Sequence, residues 1–331
     1  MLVRRLIAML GLAFLAVPTL VHAQGKAPVF TPPDDIAFRT ADIISEGTRM
    51  HADVYVLKSL AETEKKLPAL VLCHGWGGTA AGLRHTSLTF ARAGYLVTTF
   101  DFRGWGESDS RVILTGKAPR EKKEGRFTAE VREVREVVDP LDQGMDLLNA
   151  IHWVHGEPQC DRERIGLWGS SFSGGLVVYA AARDSRVKAT VSQVPALDGR
   201  GMSRSPEGRR ALYAQATGRT RGKISYPEPG IRAVGNLKGA PIVEKMTLYA
   251  PVEDVARAST CAMMFILAEN EELFDNKDHG ILAHQRAKGA KKIVTIEDIT
   301  HYGIYREARD RAEKLAVEWY DEHLGTTENQ P

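Results

Sequence analysis

The segment Arg164–Gly175, RIGLWGSSFSGG, constrains this chain most. An apolar run, Ile165–Gly169, leads into Ser170-Ser171-Phe172-Ser173-Gly174-Gly175, and a helical pattern over Phe172–Arg183 follows. A strand that becomes a helix within two residues leaves almost no room at the turn. The positions two before and two after its apex must be small, because their side chains face each other across it. Ser171 has Gly169 and Ser173 at those positions, whereas Ser170 has Trp168 and Phe172. Ser173 has Ser171 and Gly175 there, which is sterically allowed, but it lies too far past the strand. The pattern is G-x-S-x-small, with Ser173 in place of the usual Gly, and it predicts a nucleophile elbow with Ser171 at its tip. The plainer alternative is a Gly/Ser-rich helix start that carries no chemistry.

Strand and helix patterns alternate on both sides of this turn. Strands are expected at Met50–Leu57, Leu67–Cys73, Tyr95–Phe100, Ile165–Gly169, Val187–Val194, Cys261–Ala268 and Lys292–Glu297. Helices are expected at Thr79–Gly94, Leu141–His155 (started by Asp139-Pro140), Phe172–Arg183, Phe274–Gly289 and Tyr302–Leu324. Leu67–Cys73 is apolar throughout, as a strand covered on both faces should be. Such alternation predicts an α/β fold with a mostly parallel central sheet flanked by helices, over 36–325. Two stretches break it. Residues 110–139 are crowded with charge, and residues 196–250 are long, irregular and rich in Gly and Arg. Insertions of that length between sheet elements are usually lids or binding loops. No internal repeat is present.

Residues 1–23 are set apart. Arg4 and Arg5 precede the apolar run Leu6–Val17, and Val21-His22-Ala23 has the form of a cleavage site. The run is too short for a comfortable membrane span, so an export signal cut before Gln24 is expected, with the protein periplasmic or secreted. Residues 24–35 form a Pro-rich arm, and no other long apolar run follows. The chain holds 44 Lys and Arg against 42 Asp and Glu, and the excess of two is Arg4 and Arg5. A neutral remainder excludes the electrostatic footprint of a nucleic-acid binder. Locally the balance is uneven. Between Asp198 and Lys245 there are ten bases and four acids. The sharper reading of that excess is an anionic small-molecule substrate; the plainer one is a solvated surface. Cys73, Cys160 and Cys261 allow one disulfide at most, and their apolar settings favour none. No Cys/His spacing suits a metal.

Over residues 40–325 the chain resembles the α/β-hydrolase superfamily, and within it the dienelactone-hydrolase-like and X-Pro-peptidase-like esterase groups. The resemblance rests on the elbow, on His74-Gly75-Trp76-Gly77-Gly78 after one strand, on Asp101-Phe-Arg-Gly-Trp-Gly-Glu-Ser108 after the next, and on Thr300-His301-Tyr302-Gly303-Ile304 after the last. It implies Ser171 as nucleophile, His301 as base, and the amides of Trp76 and Phe172 as the oxyanion hole. It gives the Asp101–Ser108 loop a structural role. Dienelactone hydrolase itself is associated with a cysteine nucleophile, and the serine here argues against that chemistry.

The other nine histidines lack that position. His74 belongs to the oxyanion loop, His22 to the export segment, and the remainder carry no motif. The third member of the triad stays open. The stretch Ala268-Glu269-Asn270-Glu271-Glu272-Leu273-Phe274-Asp275 follows the strand that should deliver it. The resemblance puts Glu271 in the acid's place, with Glu272, Glu269 and Asp275 as alternatives and Asp198 further off. The expected reaction is hydrolysis of a carboxylic ester through an acyl-enzyme, with no metal or organic cofactor. A peptidase or amidase of the same fold is the first alternative, and a non-catalytic binding protein the second. Trp76, Trp105, Tyr213, Tyr226 and Tyr302 are the aromatic residues that could line its pocket.

Overall fold

The computed structural model describes residues 30–325. The expected export segment, residues 1–23, lies outside them. Eight strands build the central sheet: β1 (Ile36–Ser45), β2 (Thr48–Leu57), β3 (Leu67–Cys73), β4 (Leu96–Phe100), β5 (Cys160–Ser170), β6 (Val187–Gln193), β7 (Ala262–Asn270) and β8 (Lys291–Thr300). Their spatial order is β1-β2-β4-β3-β5-β6-β7-β8. β2 runs antiparallel to both β1 and β4, and every other neighbour is parallel. β3 is buried at all seven positions, as an apolar strand between two helical layers must be.

The helices flanking the sheet include α1 (Arg84–Arg92), α2 (Pro140–His155), α3 (Phe172–Ala181) and α5 (Arg309–Leu324), while α4 (Pro206–Thr220) belongs to the second insertion. α2 starts where Asp139-Pro140 predicts. The Asp139 carboxylate accepts from the Leu141 and Asp142 amides at 3.2 and 3.3 Å, and Pro140 sits at the first helical position. The sheet and the inner faces of α2 and α3 share one apolar core, which includes Leu70's neighbours Val71 and Ala69, Leu147, Ile151 and Val177.

The sequence reading needs four corrections. β1 was not anticipated as a strand; it is an edge strand buried only at Ile36, Ile43 and Ser45, so its sequence carries no clean alternation. The helix expected over Phe274–Gly289 shrinks to a wide turn, Lys277–Ile281, and one short helix, Leu282–Arg286. There the Asp275 side chain accepts from the Lys277 amide at 2.8 Å, a local bond that competes with helix. The helix expected over Tyr302–Leu324 is broken at Arg306, whose φ of −126° and ψ of −100° leave Gly303–Tyr305 as a separate turn. β6 ends at Gln193, because Val194 turns away with φ at +37°.

Both insertions carry structure. Val112–Leu114 pairs with Val131–Glu133 as a hairpin, and Ala240–Pro241 pairs in parallel with Val137–Val138, joining the two insertions. α4 lies within the second, capped by the Ser205 hydroxyl on the Gly208 amide at 2.9 Å. The basic excess there answers acids outside the segment. Arg200 pairs with Glu253, Arg204 with Asp278, Lys238 with Glu136, and Lys245 with Asp139. These bases tie the 196–250 insertion (hereafter the cap) to the sheet's loops. The three cysteines are buried and free. Burial pushes the Cys73 thiol up to about 12, so it stays protonated and inert. No helix among the described residues is long and apolar enough to cross a membrane.

Candidate active site

The C-terminal ends of β3, β5, β7 and β8 deliver four loops to one place, where ligands of open α/β sheets bind. Ser171 stands between β5 and α3 with φ at +58° and ψ at −122°. For a residue with a Cβ this conformation costs about 1–3 kcal/mol and persists only when its surroundings over-determine it. They do here. The Ser171 amide donates to the Gln193 carbonyl at 2.8 Å, and its carbonyl accepts from the Gly174 and Ala196 amides at 3.0 and 2.9 Å. The small-residue argument is visible directly: a Cβ on Gly169 would lie 2.2 Å from the Ser173 carbonyl oxygen. Ser173 uses its hydroxyl, which donates to the His74 carbonyl. The departure from glycine therefore ties the elbow to the loop after β3.

His301, at the end of β8, reaches Ser171 across the sheet edge. Its Nε2 is 3.0 Å from Ser171 Oγ. Its Nδ1 faces both oxygens of Glu271, at 2.9 and 2.8 Å. Both side chains of that pair are 2% exposed. The imidazole ring is wedged by Phe274, Tyr302 and Tyr305, with centroids 5.7, 5.4 and 6.2 Å away. The other candidate acids are engaged elsewhere. Glu272 accepts from the His301 backbone amide at 2.6 Å, Glu269 from the Asp298 amide at 2.9 Å, and Asp275 from the Lys277 amide. Asp198 is forked by Arg200 at 2.9 Å. Only Glu271 meets the imidazole.

The loop after β3 closes the other side. His74 Nδ1 donates to the Gly75 carbonyl at 3.0 Å, and burial holds that imidazole below its ordinary range, with Asp101 opposing. The Phe172 amide heads α3 and the Trp76 amide heads this loop; among the described residues neither donates to a backbone carbonyl. The Trp76 indole donates to the Gly239 carbonyl at 3.0 Å, which links the loop to the cap. Asp101 is structural, as expected: its carboxylate accepts from the Ala80 and Glu107 amides at 2.7 and 2.9 Å.

Two cavities meet at Ser171 and share Trp76 and Leu237. One, of about 260 Å³, is lined by His74, His301, Tyr302 and Tyr305. The other, of about 180 Å³, is lined by Phe172, Met246, Tyr249, Leu273 and Phe274. Of the five aromatic residues expected at a pocket, Trp76 and Tyr302 line one. Trp105 lies beneath, edge-tilted to His74 at 6.0 Å, Tyr213 is exposed, and Tyr226 stacks under Arg111 and Arg219. Sequence reasoning missed Leu237, Met246, Tyr249, Phe274 and Tyr305. Tyr305 could have been noticed, since it closes the His-Tyr-Gly-Ile-Tyr string, and Phe274 follows the candidate acids; Leu237, Met246 and Tyr249 come from the second insertion and had no signal. Among the described residues no cluster of His, Cys, Asp and Glu could hold a metal ion.

The family model described as X-Pro dipeptidyl-peptidase (S15 family) matches residues 46–218. The chain belongs to that family of α/β hydrolases. A second model, BAAT / acyl-CoA thioester hydrolase C terminal, matches residues 147–302. A 31.7 kDa Escherichia coli protein from the traX-finO intergenic region is 28% identical over 296 residues, 78% of this chain and 92% of that one. The thiohydrolase aneE of Aspergillus aculeatus is 28% identical over 165 residues, 50% of this chain and 42% of that one. Among solved structures, the hypothetical protein PA2218 from Pseudomonas aeruginosa superposes with a TM-score of 0.69 at 21% identity, covering 89% of this chain and 96% of that one. The chain is thus a hydrolase of α/β fold with thioester- and acyl-processing relatives.

Proposed function

We propose that this protein is a serine hydrolase that cleaves carboxylic esters through an acyl-enzyme. The observation that carries the reading is the continuous line Glu271–His301–Ser171, with His301 Nε2 3.0 Å from the serine hydroxyl. His301 takes the Ser171 proton as Oγ attacks the carbonyl carbon. Glu271 holds the Nδ1–H tautomer and stabilises the imidazolium that forms. The amides of Trp76 and Phe172 bind the oxygen as it becomes an oxyanion. His301 then returns the proton to the departing alcohol, and water repeats the sequence on the acyl-enzyme. The leaving group occupies the cavity that His301 lines, since the proton must reach it, and the acyl group occupies the one lined by Phe172, Met246 and Tyr249.

A second reading, thioester hydrolysis by the same machinery, is favoured by the acyl-CoA thioester hydrolase match and the thiohydrolase relative. Labelling with a fluorophosphonate probe, followed by a screen of p-nitrophenyl esters, acyl thioesters and peptide anilides, tests the proposal. Ser171→Ala should abolish labelling and lower kcat by about 10⁴-fold or more. A variant that retains a few per cent of activity, or a wild type that does not label, overturns it. Dominant turnover of anilides would make the protein a peptidase instead. Export belongs to the same proposal: the mature protein should begin at Gln24, which N-terminal sequencing of the cell-envelope or medium fraction checks.

A further inference from the structure

The Tyr305 hydroxyl has no part in the Glu271–His301–Ser171 line, yet it ends in the same place. Its ring flanks His301, and its side chain lines the cavity that also holds Ser171, His301 and Tyr302. The residue as a whole is 37% exposed, but its oxygen is held at depth, 2.8 Å from Ser170 Oγ. Ser170 is buried, directly before the elbow, and accepts from the Gln193 side-chain amide at 3.1 Å.

Proton counting limits the directions this chain can take. A hydroxyl carries one proton and two lone pairs. Ser170 Oγ spends one lone pair on Gln193, and between Ser170 and Tyr305 either hydroxyl can be the donor. When Ser170 donates, the bonds run from Gln193 to Ser170 to Tyr305, and the phenol proton, last in line, is left for a group in the cavity that Tyr305 and Ser171 both line. Burial raises this phenol above its ordinary range, with the Ser170 and Ser171 hydroxyls opposing, so it remains a donor at any working pH.

We infer that Tyr305 is a catalytic hydrogen-bond donor to the leaving-group oxygen of the substrate. The inference rests on the serine-esterase reading, and the class of substrate it singles out is esters of poorly departing alcohols. When the tetrahedral intermediate collapses, the bond between the acyl carbon and the alkoxy oxygen breaks, and its electron pair goes to that oxygen. His301 Nε2 supplies the proton that makes it an alcohol. Tyr305 keeps its own proton and shares it as a hydrogen bond while negative charge develops. The cavity lined by Phe172, Met246 and Tyr249 holds neither His301 nor Tyr305, which is why the donation belongs to the leaving side.

The need for such a donor grows as the leaving group worsens. Tyr305→Phe keeps the ring and removes the proton. Its kcat/KM should fall about tenfold or more for ethyl acetate, with phenyl acetate intermediate and p-nitrophenyl acetate within about twofold of wild type. Ser170→Ala should show the same ordering at smaller amplitude, and it carries the test if Tyr305→Phe fails to fold. An equal loss across all three esters, or no loss, overturns the assignment. Fluorophosphonate labelling of Ser171 should persist in both variants. A wild type that does not label overturns the serine reading underneath, an outcome separate from the loss of leaving-group dependence.

Discussion

At the scale of single residues, the site depends on which of several equivalent-looking side chains meets the imidazole. Glu271 and Glu272 are adjacent and chemically identical, yet one faces Nδ1 of His301 and the other its backbone amide. Glu271→Gln leaves an amide that cannot hold the productive tautomer, so kcat should fall by about 10³–10⁴-fold. Glu272→Gln keeps an acceptor for the His301 amide and should cost less than about tenfold, because one neutral hydrogen bond replaces one charged one. Steady-state kinetics on a p-nitrophenyl ester measures both. Equal losses would mean that the acid role is shared. Ser171 was legible from the sterics of its turn, whereas His301, Trp76 and Phe172 were implied by the resemblance to the α/β hydrolases, whose motifs sit at strand ends. For the acid the resemblance favoured Glu271 but left Glu272, Glu269 and Asp275 open, since a loop's path is set by what it packs against.

At the scale of elements, the sequence announces helices well where a cap is local and poorly where a loop intervenes. Asp139-Pro140 marks α2 correctly, and Asp139 also receives Lys245 from the cap. One carboxylate thus starts a core helix and anchors an insertion. Asp139→Ala should destabilise by about 1–2 kcal/mol from the lost helix cap alone, and the unpaired Lys245 adds to it. Arg210, whose pair with Glu207 is more than 70% exposed on both sides, is the control. Arg210→Ala should cost less than about 0.5 kcal/mol. Urea denaturation of both variants checks the contrast, and equal costs would mean that the cap is not anchored through Asp139. The positive excess of the 196–250 segment was visible in sequence, but its partners were not. Glu253, Asp278, Glu136 and Asp139 lie far along the chain and become neighbours only in the fold.

At the scale of the whole molecule, buried histidines make stability depend on pH. His279 Nδ1 accepts from the Leu197 amide at 2.8 Å, stitching the segment after β7 to the start of the cap. Burial lowers its pKa in the folded state, against the pull of Asp198 and Asp278. The unfolded chain therefore binds a proton more readily, below about 6.5. Stability from this group is full above that value and declines as pH falls through it. The difference in stability between wild type and His279→Gln should thus shrink from pH 7 toward pH 5, as thermal unfolding at several pH values measures. A difference independent of pH would overturn it. The sequence by itself determined the α/β class and the elbow with its serine, which follow from local sterics and from a periodicity of two against 3.6 that neighbouring residues impose on one another; the loop after β3 and the histidine after β8 came from the resemblance to the α/β hydrolases. Only the tertiary structure decided that Glu271 and not a neighbour meets the imidazole, which residues of the second insertion line the cavities, and that the Tyr305 oxygen lies against Ser170. Those contacts join residues tens to hundreds of positions apart, and their geometry comes from packing that no local pattern records.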